Sequence, residues 1–348
     1  MKIPFKEACR HGLALLLTLL AAATGYAQTS EKPPVAPPLW KIDPLGQGVI
    51  FAPGCAPYQD ENGPLLIGNP LLDGPPGTPG WVAGVDVGVI VPHIKNHLFA
   101  SVTRASGATD VVHLPTADLG VRAMPKFELG YRCGQAAGEI IVAYRFLAAH
   151  GDQFVSPVDL PPFGPTGTPL TSRLDLQVID VDYGSYEPRT ILGWDMKWRA
   201  GVRGMIFYAD SQANNGTLAQ QTVNRYWGLG PHGSVDFRRG IGDTGLALFG
   251  RIDGSLMFGR VAQRYIDTAI AADGTTDSGE TRLFLNGMIT DIAVEAGLAW
   301  TPRWSDRFHV TAGYYYEHFF HLGAIAVPVS ARQDLGIQGG FIRAEWNY

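Results

Sequence analysis

Residues 81–91 alternate between two faces. Trp81, Ala83, Val85, Val87, Val89 and Val91 fall on one side, and Val82, Gly84, Asp86, Gly88 and Ile90 on the other. A period of two held over this length predicts a β-strand with one apolar side. The pattern returns in 194–208, where Trp194, Met196, Trp198, Val202, Ile206 and Tyr208 oppose Asp195, Lys197, Arg199 and Arg203. It returns in 246–258, with Leu246, Leu248, Ile252, Leu256 and Phe258 against Arg251, Asp253 and Ser255. In 288–300, Met288, Ile292, Val294, Leu298 and Trp300 oppose Asp291 and Glu295, and at the C-terminus Ile342, Ala344, Trp346 and Tyr348 oppose Arg343 and Glu345. Weaker versions occupy 124–133, 138–147, 222–238 and 308–318. In 172–183 the apolar face switches between Val178 and Ile179, which predicts a bulge. The count is about ten strands, within a range of eight to twelve.

The connections between these strands carry a second pattern. In order they are 92–123, 134–137, 148–171, 184–193, 209–221, 239–245, 259–287, 301–307 and 319–335, so long and short alternate. Long loops at one rim, short turns at the other, an even strand number and both termini on the short-turn side are the features of an outer-membrane β-barrel. The expected fold is therefore all-β: a transmembrane, antiparallel, up-and-down barrel over 81–348. Closure follows from the solvent, because a backbone N–H or C=O left unpaired in hydrocarbon costs several kcal/mol. Closure also removes exposed strand edges.

Aromatic residues fit two interface belts. Trp81, Tyr131, Trp194, Phe237, Trp300, Phe308, Trp346 and Tyr348 share the short-turn end, and Phe146, Tyr208, Trp227, Phe258 and Tyr316 the other. The proposed lipid face is nearly free of charge, and the opposite face is dense in it. The acids expected in the lumen are Asp86, Glu128, Glu139, Asp175, Asp195, Asp236, Asp253, Asp291, Glu295, Glu317 and Glu345. The bases are Arg132, Arg145, Arg173, Lys197, Arg199, Arg203, Arg238, Arg251 and Arg343. A barrel of about eight strands is just filled by its side chains, whereas 16–18 strands leave a channel. Ten strands thus allow two interiors: an ion-pair network that packs the lumen, or a narrow polar pore whose small acidic excess favours cations.

The N-terminus reads differently. Lys2, Lys6 and Arg10 precede the apolar run from Leu13 to Ala23, and Gly25-Tyr26-Ala27 follows, the layout of a secretory signal peptide cleaved after Ala27. Residues 28–80 form a Pro/Gly-rich periplasmic segment in which Pro33-Pro34, Pro37-Pro38 and Gly74-Pro-Pro-Gly interrupt any regular element. Cys9 leaves with the signal, so Cys55 and Cys133 remain, both on the periplasmic side of this topology, where a disulfide between them is open. The 348 residues carry a net charge of −5 with only 17% charged side chains, and this gives no basic footprint for nucleic acid. Nothing after residue 27 approaches the roughly 18 uncharged apolar residues of a spanning helix.

Several segments carry a more specific likeness. Ser172-Arg-Leu-Asp-Leu-Gln-Val-Ile-Asp-Val-Asp-Tyr183, Trp198-Arg-Ala-Gly-Val-Arg203, Gly228-Leu-Gly-Pro-His-Gly-Ser-Val-Asp236 and Phe249-Gly-Arg-Ile-Asp-Gly-Ser-Leu-Met-Phe-Gly259 resemble the pore-forming major outer-membrane protein family, the Legionella-type β-barrel porins. The resemblance covers roughly 170–260 well and 290–348 loosely. It implies a pore-forming or major cell-surface role in the outer membrane and no catalytic residue.

The expected function is a narrow porin that passes small solutes or ions, with outer-membrane lipid around it. Its aromatic C-terminal strand is expected to be read by the barrel-insertion machinery. One alternative is a plugged structural or adhesive barrel; another is an outer-membrane enzyme. The enzyme would need an acid–histidine pair converging at the outer rim, drawn from His93, His97, His150 and His318 with Asp110, Asp152, Asp210 and Glu317. No G-x-S-x-G or H-E-x-x-H motif occurs, and no cofactor or metal is expected.

Overall fold

In the computed structural model the described residues are 79–348, apart from 96–97, 104, 115, 134–137, 156–166, 186–188, 192, 272, 306 and 323–333. The signal peptide, the Pro/Gly-rich segment and Cys55 lie outside them. Ten strands build one sheet: β1 (Gly80–Lys95), β4 (Arg122–Arg132), β5 (Glu139–Val155), β6 (Thr168–Gly184), β8 (Trp194–Asn214), β9 (Leu218–Gly240), β10 (Leu246–Ile270), β11 (Thr276–Trp300), β12 (Phe308–Phe320) and β13 (Asp334–Asn347). The remaining three are a small hairpin, β2 (Leu98–Thr103) with β3 (Thr109–Leu114), and β7 (Arg189–Ile191), which flanks the start of β8.

Each large strand pairs antiparallel with its chain neighbour, β1 pairs with β13, and β6 pairs with β8 across the short β7. The sheet is therefore a closed ring of ten strands. Gly80 and Tyr348 mark the near rim, the end at which β4 leads to β5, β9 to β10 and β11 to β12.

Solvent exposure separates the two faces of the wall. On β1, Val85, Val87 and Val89 are 47%, 45% and 58% exposed, whereas Asp86 is 7% and Ile90 0% exposed. The apolar face is outside and the charged face inside, an arrangement that only a lipid exterior rewards. Aromatics cluster on the outer surface at the near rim, with Trp81 against Tyr131 (ring centroids 5.2 Å), Tyr183 near Trp198 (6.1 Å) and Phe308 against Trp346 (5.6 Å).

Two expectations are corrected. The connections 209–221 and 259–287 are not long loops, because β8 and β9 meet through 215–217 and β10 and β11 through 271–275. Strands β8 to β11 run 21–25 residues, roughly double the 9–11 that cross a bilayer. Beyond the hydrocarbon the outward face meets water, so it ceases to be apolar and the sequence signal stops while the ladder continues. The bulge in 172–183 is also absent. β6 keeps one register with both neighbours, Val178 opposite Arg145 and Met205, and Ile179 opposite Tyr144 and Gly204. What changes there is the lumen, apolar around Leu174, Leu176 and Val178 and charged at Asp180 and Asp182.

The far rim is covered from within. The β2–β3 hairpin lies against the extensions of β8 to β11, and Ser106 N–H donates to Asp277 Oδ1 (3.2 Å). Residues 116–120 then turn into the mouth, where Ala117 N–H donates to Ser172 Oγ (2.8 Å) and Leu119 is buried.

Candidate functional site: a charged layer across the lumen

Alternation alone delivers the charged side chains to the interior, since every second residue of a barrel strand points inward. Arg203 of β8 is the hub. Its Nε and Nη2 donate to the two oxygens of Asp180 (2.7 and 2.9 Å), and its Nη1 donates to Asp253 Oδ1 (2.9 Å) and Asp291 Oδ2 (2.5 Å). The fork geometry of a guanidinium suits this, because its five N–H groups can serve several carboxylates at once. His232 of β9 stands beside it, with Nδ1 2.8 Å from Asp182 Oδ1, and Nε2 2.8 Å from Asp253 Oδ2 and 3.0 Å from Arg203 Nη2.

Other pairs reach across the barrel. Arg145 of β5 forks onto Glu317 of β12, with Nη1 to Oε2 at 2.9 Å, and Tyr315 donates to the same carboxylate (2.6 Å). Arg343 of β13 donates to Asp86 of β1 (2.8 Å) and to Glu295 of β11 (2.9 Å). Arg251 of β10 holds Asp236 of β9, and its Nη1 lies 4.0 Å from Glu128 Oε1 on β4. In a ring of ten, β10 and β4 stand directly opposite each other. Side chains from opposite walls therefore meet in the middle. The gap left beside Arg203, Arg145, Lys126 and Glu295 is about 30 Å³, room for a few water molecules.

An apolar layer lies above the charged one, towards the far rim. Leu174 and Leu176 of β6, Phe207 of β8, Met257 of β10, Phe319 of β12 and Ile337 of β13 are all at most 1% exposed. Leu119 and Leu322, from the ends of two far-rim connections, close on top of them.

The structure thus puts Asp86, Glu128, Arg132, Glu139, Arg145, Arg199, Arg203, Asp236, Arg251, Asp253, Asp291, Glu295, Glu317, Arg343 and Glu345 on the lumen side. Asp195, Lys197 and Arg238 share that side near the rim. Asp175 and Arg173 do not. They alternate with the buried Leu174 and Leu176, so they face outward, paired to each other at 2.6 Å. Sequence reasoning missed Asp180, Asp182 and His232. The signal for the two aspartates was unbroken alternation through Val178, and for His232 it was its phase with Ser234 and Asp236.

The described members of the acid–histidine set do not gather. His150 lies 3.4 Å from Asp152 on exposed β5, and His318 lies 3.6 Å from Asp334. Asp210 faces outward beside Tyr208, and Glu317 is held by Arg145. His97 and the side chain of Asp110 lie outside the described residues. Among the described residues no group of three His, Cys, Asp or Glu is placed to hold a metal ion. Cys133 is half-buried after β4 at the near rim.

Residues 177–348 match the family described as Legionella pneumophila major outer membrane protein precursor. A search among curated proteins finds no match. Among solved structures, the outer membrane protease OmpT from Escherichia coli is similar at 10% identity and a TM-score of 0.42, over 77% of this chain and 97% of that one. The P. putida toluene transporter TodX is similar at 10% identity and a TM-score of 0.28, over 80% of this chain and 94% of that one. At such scores neither lends this chain an activity.

Proposed function

We propose that this chain, whose residues 177–348 belong to the Legionella major outer-membrane protein family, works in the outer membrane as a closed structural barrel rather than as an open diffusion pore. The carrying observation is the contact of Arg251 with Glu128 across the full width of the ring, under an unbroken apolar layer. A hydrated solute would have to part buried ion pairs and then cross Leu174, Leu176 and Phe207. Breaking a buried pair leaves an uncompensated charge and costs about 3–5 kcal/mol. The far rim faces outward in this reading, because the long connections, between β1 and β4, β5 and β6, and β12 and β13, all lie there and long connections belong to the extracellular side. The extended wall of β8 to β11 is then the part displayed to the medium.

Residues 1–27 serve as the export signal in this reading, and N-terminal sequencing of the exported protein should begin at Gln28. The Trp346–Tyr348 end is what the insertion machinery would engage. Planar-bilayer recording tests the closed reading. Purified, folded protein should give no single-channel steps, and reproducible steps would restore the narrow porin that passes small solutes or ions.

A further inference from the structure

The outer surface of one half of the barrel changes character abruptly with height. Outward positions from Trp194 to Ile206 on β8, from Phe237 to Trp227 on β9 and from Leu246 to Phe258 on β10 carry no charge. These spans match the 9–11 or so residues that cross hydrocarbon. The very next outward positions on β9 and β10 are Arg225 and Arg260. Arg173, Arg264 and Arg282 follow within two further rows of β6, β10 and β11. The strands of the other half, β12, β13, β1, β4 and β5, carry no outward arginine.

Three of these guanidinium groups lie over aromatic rings. Arg173 and Arg225 both stand over Tyr208, at 5.7 and 5.3 Å from its centroid, and Arg260 stands 4.9 Å over Phe284. Arg264 and Arg282 share the single carboxylate of Glu280, and Arg173 pairs with Asp175. Asp210 is occupied by Tyr208, Gln212 and Gln221. Five arginines thus face three carboxylates, and Arg225 and Arg260 have no carboxylate partner among the described residues. A guanidinium lying on a ring keeps its N–H edge free, the edge that grips phosphate through two parallel hydrogen bonds.

We propose that this patch binds the phosphate groups of anionic lipid headgroups in the outer leaflet, phosphorylated glycolipid being the class of ligand. Height, charge and donor geometry all fit. The hydrocarbon band ends where the arginines begin, so a headgroup anchored there meets them without leaving the membrane plane. The proposal does not depend on whether the lumen conducts.

Native mass spectrometry of the exported protein in non-ionic detergent tests it, with diphosphorylated lipid A as the probe and phosphatidylcholine and inorganic phosphate as comparisons. The wild type should retain lipid A over phosphatidylcholine, and inorganic phosphate alone should not displace it at equal phosphate concentration. Retention should fall roughly fivefold in R260A and roughly thirtyfold in R225A/R260A, the factors expected for one and two basic groups at a lipid surface. E280Q raises the net charge of the same wall and should retain at least as much as the wild type, showing as well that substitution there leaves the barrel folded. Retention in R225A/R260A equal to that of the wild type, equal retention of phosphatidylcholine, or displacement by inorganic phosphate would each overturn the proposal.

Discussion

Arg203 is 3% exposed, and Asp180, Asp253 and Asp291 all lie within 3 Å of its guanidinium. Three carboxylates that close together are tolerable only around a cation. Arg203→Met keeps much of the volume and removes the charge, so it should lower stability by about 3–5 kcal/mol, read as a drop in the urea midpoint of the folded barrel. An unchanged midpoint would mean that the aspartates are solvated and the layer is open. The exterior follows the opposite rule. Val87 faces lipid in the middle of β1, so Val87→Lys should cost about 2–4 kcal/mol in the same assay, whereas a soluble β-protein would tolerate it. On the outer wall, hydrogen bonds from Arg282 and Arg264 hold the Glu280 carboxyl at about 2. A carboxyl lowered this way stays ionised as pH falls through the ordinary carboxylate range and takes up its proton only near that value. Glu280 should therefore contribute no change in the charge of the patch between pH 8 and pH 4, so whatever pH dependence lipid A retention shows there, set by the lipid's own phosphates, should be the same in E280Q as in the wild type.

At the level of elements, alternation in the sequence located all ten wall strands, because lipid outside and charge inside write the same two-residue rhythm into each. Strand length was not legible. The outward rows of β10 from Arg260 to Thr268 are polar or mixed, since they stand in water, and a rule that looks for apolar outward residues ends the strand at Phe258. The tight turn replacing the expected loop 209–221 shows the compensation. Gly216 adopts φ of +91°, and Asn214 and Asn215 accept from backbone N–H groups at 2.7–3.1 Å. Gly216→Ala forces a side chain into that left-handed conformation, and it should cost about 1 kcal/mol or more. The loss should show as faster amide exchange confined to the tips of β8 and β9, with the membrane-level rows unaffected.

For the whole molecule, the candidate site was half visible beforehand. Eighteen of the twenty charged positions named in the sequence reading face the lumen, but whether they form a packed floor or line a pore depends on how far each side chain reaches across the ring. No pattern along one strand records that distance. Asp180 and Asp182 were hidden for a related reason: the lumen itself changes from apolar to charged along β6, so one face of one strand carries both characters. A filled lumen is what would close this barrel, and thiol accessibility measures it directly. In vesicles, with Cys55 and Cys133 replaced by serine, Leu176→Cys should resist a charged, water-soluble thiol reagent until the barrel is heated, while Asn215→Cys at the far-rim turn reacts at once. Labelling of position 176 in the folded barrel at a rate close to that of position 215 would contradict the account.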